Sequence, residues 1–168
     1  MSYEQHQEAA ADRPAACAVV TVSDTRTPET DVSGAYIQQA LKEAGHTVSG
    51  YAVIKDEPDQ IQAALERWTG KEEPQALIFT GGTGIGKRDT TFDIVSAFLE
   101  KTLPGFGEIF RYLSYEEIGS GAIMSRATAG VARNTIVFSI PGSRNAVGLA
   151  MEKLILKELP HLVWEVAR

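Results

Sequence analysis

The sequence predicts an α/β protein: a mainly parallel central sheet with helices on both faces. Three observations predict it. Short apolar, β-branched runs alternate with stretches of helical periodicity four times along the chain. The first run is apolar throughout rather than at every second residue, as in a strand buried on both faces. Polar connections rich in Gly, Ser, Thr and Asp follow the runs, and an open α/β sheet carries its ligands outside the carboxyl ends of its strands.

The elements follow in order. Ala16–Val22, ACAVVTV, is the first buried strand, and the polar loop Ser23–Gly34 leaves its end. Ala35–Ala44 places Ile37, Ala40, Leu41 and Ala44 on one helical face, and Gly45 stops it. Thr47–Ile54 reads as a second strand. Pro58 suits a helix start, and Ile61, Ala64, Leu65 and Trp68 recur at helical spacing. Gln75–Thr80 is a third strand. After the turn TGGTGIGKRDTT, Thr90 or Thr91 caps a helix running to about Leu99. Pro104–Ile118 opens a further helix on Pro-Gly, and Ser120–Gly130 reads as one or two more helical turns. Asn134–Ile140 is the last clear strand. A long final helix follows, with Val147, Met151, Leu154, Ile155 and Leu159 on one side.

The 168 residues suffice for one domain with a real core, and 43% apolar against 23% charged residues argues against extensive disorder. Residues 1–14 are expected to form a polar tail, mobile unless a partner subunit orders it, and residues 15–168 the single domain. The tail carries acids and lacks an apolar core, so it does not read as a signal peptide. No apolar run approaches the ~18 residues of a membrane span. A net charge of −6 argues against nucleic acid as a main partner. The lone cysteine, Cys17, excludes a disulfide within the chain, fits a reducing cytoplasm and reads as a packing residue. Yet Arg26, Lys87, Arg88, Arg126, Arg133 and Arg144 gather in or beside the connections, which suggests a local anionic ligand, with plain solvent exposure of loop charges as the equal alternative.

The glycine turn invites comparison with known phosphate-binding devices. Gly81-x-x-x-x-Gly86-Lys87 copies most of a P-loop, but Arg88 stands where a magnesium-holding Ser or Thr is needed. The dinucleotide fingerprint fails on spacing. There is no Gly-x-Ser-x-Gly elbow. His6, His46 and His161 show no metal-ligand spacing and read as ordinary surface or boundary residues. What survives is a combination. Gly81, Gly82 and Gly84 let backbone N–H groups face an anion without a Cβ in the way. Asp89 adjoins this cradle, and Asp56 ends the second strand. Two carboxylates beside a polyphosphate repel it unless a divalent cation intervenes, and magnesium prefers such oxygens. The residues therefore point to metal-assisted phosphoryl or nucleotidyl transfer, with non-catalytic anion binding as the alternative.

The linked motifs resemble one family. Gly81-Gly82-Thr83-Gly84 followed by Arg88-Asp89-Thr90-Thr91, together with TVSDTR (Thr21–Arg26), PGFGEIFR (Pro104–Arg111), SRATAGV (Ser125–Val131) and IPGSRNAV (Ile140–Val147), is similar to the molybdenum cofactor biosynthesis family that includes molybdopterin adenylyltransferase (MogA) and protein B (MoaB). FRYLSYEEIG (Phe110–Gly119) is nearer the protein B branch. The resemblance covers roughly Ala16 to Leu159. It implies a three-layer α/β/α molybdopterin-binding domain that assembles as a trimer or hexamer. It also implies a reaction in which molybdopterin and Mg-ATP give adenylyl-molybdopterin and pyrophosphate, with a downstream metal-insertion protein as a further partner.

Carried over residue by residue, the resemblance makes Asp89 and Asp56 the catalytic acids and magnesium ligands. Gly81, Gly82, Thr83 and Gly84 would bind an anionic part of the substrates. Ser23 and Asp24 would line the same cleft, with a simple loop cap as the alternative for Asp24. Arg88 would reach phosphate or brace the loop. Pro141, Gly142 and Ser143 would contact ligand at a helix N-terminus, and Ser125 and Arg126 would meet ligand or a neighbouring subunit. Glu108, Glu116 and Glu117 read as a solvated or subunit-facing patch. Lys87, where many relatives have Pro, departs from the pattern. In the family that the chain resembles, some members of the protein B branch lack the two acids and are doubtful catalysts; this chain keeps both, which favours an active enzyme.

Overall fold

The computed structural model describes residues 2–10 and 13–168. Six strands form one sheet in the order β2-β1-β3-β6-β5-β4. They are β1 (Ala16–Val22), β2 (Thr47–Ile54), β3 (Ala76–Thr80), β4 (Lys101–Thr102), β5 (Thr128–Ala132) and β6 (Thr135–Ile140). β1 pairs in parallel with β2 and β3, and β3 with β6, while β5 runs antiparallel to both β6 and β4. The sheet is thus mainly parallel, as the alternating pattern predicts.

Two layers of helix cover it. Successive side chains of a strand point to opposite faces, so Cys17 and Val19 join one core and Ala18, Val20 and Val22 the other. On the first face lie α2 (Val32–Glu43), α5 (Pro104–Ile118), α6 (Arg144–Ala150) and α7 (Leu156–Val166), which bury Ile37, Leu41, Phe110, Val147 and Leu159. On the second lie α3 (Pro58–Trp68) and α4 (Thr91–Phe98), which bury Ile61, Leu65, Trp68 and Val95. A π turn at Met151–Ile155, with Leu156 N–H donating to the Met151 carbonyl, joins α6 to α7 where one long helix is expected.

Two expectations are corrected. Ser120–Gly130 was expected to be helical. A 3-10 helix takes Gly119–Met124, but Thr128–Ala132 is β5. Arg133 and Asn134, at φ of 48° and 63°, close a two-residue hairpin into β6, and positive φ at both central positions suits the twist of the strands it joins. The small residues that suggest helix serve pairing here: a Cβ on Gly130 would collide with the Lys101 carbonyl of β4. The second correction concerns the described part of residues 1–14, with Met1, Ala11 and Asp12 lying outside it. Tyr3–Ala10 is a helix, α1, packed on α7 rather than a bare tail.

Candidate functional site

The carboxyl ends of β1, β3 and β6 open at one edge, and the connections that follow them meet there. Two clefts of about 370 Å³ each result. The first is bordered by Gly81–Gly84, Asp89 and Pro141–Ser143, with Phe110, Ile118 and Met124 as an apolar wall. The second holds Thr21, Ser23, Arg26, Ser33, Thr80 and Arg144. Gly142 and Ser143 border both, so the turn after β6 is a shared partition. Ser143 also caps α6, its hydroxyl accepting from Ala146 N–H at 3.4 Å.

The glycine turn holds its shape through close approach. Gly82 has a φ of 67°, and a Cβ there would overlap the Thr91 hydroxyl and come within 2.6 Å of Asp56 Oδ2. Gly84 makes room for Asp89, whose Oδ2 would lie 2.7 Å from a Cβ at position 84 and accepts from Gly86 N–H at 2.9 Å. Asp89 therefore curls back over the turn it follows. Asp56 lies almost buried, 8% exposed, and its Oδ1 accepts from the Thr90 amide at 3.1 Å and the Thr90 hydroxyl at 2.7 Å. It serves the N-terminus of α4 from the end of β2, satisfying a donor that Thr90 itself does not cap.

Arg88 braces. Its guanidinium donates to Asp24 at 2.8 and 3.0 Å, to Glu57 Oε1 at 2.9 Å and to the Asp56 carbonyl at 3.3 Å. The same carboxylate of Asp24 accepts from Asp56 N–H at 3.2 Å. The planar fork suits this bidentate grip, and it holds the Asp24 carboxyl below the ordinary aspartate range. Asp24 therefore ties three loops together, its carboxylate engaged by Arg88 and by the Asp56 amide. Ser23 borders the second cleft, with its hydroxyl accepting from the amides of Thr25 and Arg26.

Arg126 pins the turn from within the chain. It donates to the Gly84 carbonyl at 2.6 and 2.9 Å, to Thr83 and Asp89 carbonyls, and to Asp93, and its guanidinium lies over Phe92. These partners lie 33 to 43 residues away, so no local signal marks them.

Among the described residues, three buried hydroxyls at this edge have no hydrogen-bond partner: Thr21, Thr91 and Ser125. Thr21 borders the second cleft and Ser125 the first. Such groups are rare in folded proteins, and each is open to a partner from outside the chain, water or ligand.

The glycine turn, two acids and a helix N-terminus now share one edge. The family model described as the probable molybdopterin binding domain matches residues 18–161. Molybdenum cofactor biosynthesis protein B of Bacillus subtilis is 52% identical over all of this chain and 99% of its own. The chain belongs to the molybdenum cofactor biosynthesis protein B family. A crystal structure of a molybdenum cofactor biosynthesis protein B is 50% identical, with a TM-score of 0.90 over 93% of this chain and 98% of that one. The tungsten cofactor synthesizing protein MoaB of Pyrococcus furiosus is 33% identical, with a TM-score of 0.83 over 93% and 99% of the two chains. The matched residues include the turn Gly81–Asp89, which Arg126 grips at Thr83, Gly84 and Asp89.

Proposed function

We propose that this protein binds molybdopterin and transfers AMP to it from Mg-ATP. The observation that carries the reading is the paired cleft: two adjoining spaces, partitioned by Gly142–Ser143, offer two substrates one meeting point beside the glycine turn and Asp89. The apolar wall of the first cleft suits a flat heterocycle, and Arg26 and Arg144 give the second a cationic side. The terminal phosphate of molybdopterin would attack the α-phosphorus of ATP, forming the new P–O bond as pyrophosphate leaves. Backbone amides of the turn and the N-terminus of α6 would hold phosphate oxygens.

The donor set fits magnesium. Asp89, Asp56 and the Thr91 hydroxyl are hard oxygen groups, and Thr91 Oγ1 is a buried orphan beside Asp56 Oδ2 around the gap that Gly82 leaves. Asp89 and Asp56 would hold the ion, which supplies charge neutralisation at the phosphates. Arg88 and Arg126 donate to the main-chain carbonyls of Asp56 and Asp89, while the carboxylates themselves accept from Thr90 and from Gly86 N–H. A second reading, pterin binding without catalysis, draws on the structural work that Asp56 does in capping α4. Incubation with molybdopterin, ATP and magnesium separates the two: adenylylated pterin and pyrophosphate support transfer, whereas bound pterin with no ATP-dependent product supports binding alone. Asp89→Asn is expected to abolish product with the fold retained by circular dichroism. Unchanged turnover would remove Asp89 from its role.

We infer further that the protein self-associates as a trimer or hexamer. Ile109, Tyr112, Tyr115 and Ile118 form a stripe along α5, with Ile123 and Met124 continuing it, all more than half-exposed or at half exposure. A contiguous apolar stripe of this kind marks an interaction surface.

A further inference from the structure

α1 and α7 bring together two histidines that lie 155 positions apart. His6 comes from α1, while His161 and Glu165 sit one turn apart on α7 and so share a face. The His6 Nδ1 lies 2.7 Å from Glu165 Oε1, and His161 Nε2 lies 3.6 Å from the same oxygen. One ligand atom from each of the three falls within 4.8 Å of the others. Among the described residues this is the sole cluster of three or more such groups, and the acids of the candidate active site do not form one.

From these three donors we propose a transition-metal site of the zinc class. The surroundings support coordination. His161 Nδ1 faces Glu158 Oε2 at 3.5 Å, and the other Glu158 oxygen accepts from the Tyr3 hydroxyl. A carboxylate behind one imidazole nitrogen sets the tautomer and turns the other nitrogen toward the metal. The Trp164 ring stands edge-on to His6 at 5.0 Å and near His161 at 6.3 Å, and Tyr3 meets His161 at 5.5 Å. These contacts hold both imidazoles with side chains only 20% and 15% exposed. Arg168 donates to Glu165 from outside at 3.1 Å and would yield part of that grip.

The donor chemistry selects the ion. Two imidazole nitrogens and one carboxylate oxygen suit zinc and its first-row neighbours, whereas magnesium and calcium prefer oxygen alone. Three protein donors leave the remaining coordination to solvent. The site also lies away from the clefts. Arg168 adjoins Gln75 and Asn134, at the amino ends of β3 and β6, the opposite edge of the sheet. Its action is therefore structural: the ion staples α1 to α7.

The test uses the full-length, tag-free protein stripped with chelator, titrated with Zn²⁺ alone by calorimetry and with Co²⁺ by visible absorption. One ion per chain is expected, with nitrogen–oxygen Co²⁺ bands and slower amide hydrogen exchange confined to α1 and its contacts on α7. His6→Ala and His161→Ala, each checked for folding by circular dichroism, should weaken binding at least ~10-fold. Glu158→Gln should weaken it about 10–100-fold, as loss of the carboxylate behind a ligating histidine does. His46→Asn should leave it unchanged. Absence of saturable binding, or unchanged affinity in the His6→Ala/His161→Ala double variant, overturns the site.

Discussion

At the residue scale, charge and burial give two groups definite titration behaviour. His46 is buried, and its Nδ1 accepts from Ala15 N–H at 3.1 Å, which requires the neutral ring. Burial lowers its pKa. The unfolded chain therefore binds this proton first as pH falls below about 6.5. The stabilisation is full above that pH and is lost as pH falls from there toward the folded pKa. Urea midpoints should decline across that window, and His46→Asn, which keeps an acceptor but does not titrate, should flatten the decline. Asp24 follows the same sign for the opposite cause, since its charged form rather than its neutral form is the one favoured. Its folded pKa is depressed by Arg88, so the contribution is present above the unfolded value of about 3.9 and lost as pH falls through the folded one. Carboxyl NMR on Arg88→Ala should place Asp24 nearer its ordinary value, and Arg88→Lys should restore the shift only in part, since a point charge cannot grip bidentately. Cys17 is inert by the same logic: burial pushes its thiol up to about 12, in keeping with a packing residue.

At the element scale, the N-terminus of α6 is where a structural cap and a ligand surface coincide. Ser143→Ala should cost about 1 kcal/mol by denaturant titration and Ser143→Gly only a few tenths. If the proposed site is correct, both variants should also weaken pterin binding, because both remove the hydroxyl. The elements differ in how legible they were. β1, β3 and α3 carry continuous apolar runs or clear periodicity, and each stands where the pattern puts it. β5 does not, because TAGVA is small and featureless until β4 and β6 flank it. In sequence α1 reads as a tail because YEQHQEAA lacks an apolar stripe, and eight residues are too short to be stable alone. Contacts to α7 supply what its own sequence lacks.

At the scale of the whole molecule, the two-sided sheet uses up most large apolar side chains and leaves the α5 stripe outside. Native mass spectrometry should find a trimer or hexamer, and Ile109→Glu/Tyr115→Glu should shift it toward monomer. A wild-type monomer at all concentrations would remove self-association from the proposal. These two positions border neither cleft, so loss of pterin binding in the variant would mean that assembly completes the site.

The sequence by itself determined the layered α/β class, the edge of the sheet where the loops converge and the glycine turn with Asp89. These depend on periodicity, on glycine's missing Cβ and on neighbours close in the chain. The tertiary structure alone decided which charges are engaged. Arg88 closes on Asp24 and Glu57 across 64 and 31 residues, Arg126 reaches back to Gly84 across 42, and His6 meets Glu165 across 159. A guanidinium in a loop looks the same in sequence whether it will hold a ligand or its own chain. Only packing, which brings distant carboxylates and carbonyls within hydrogen-bond reach, settles the choice.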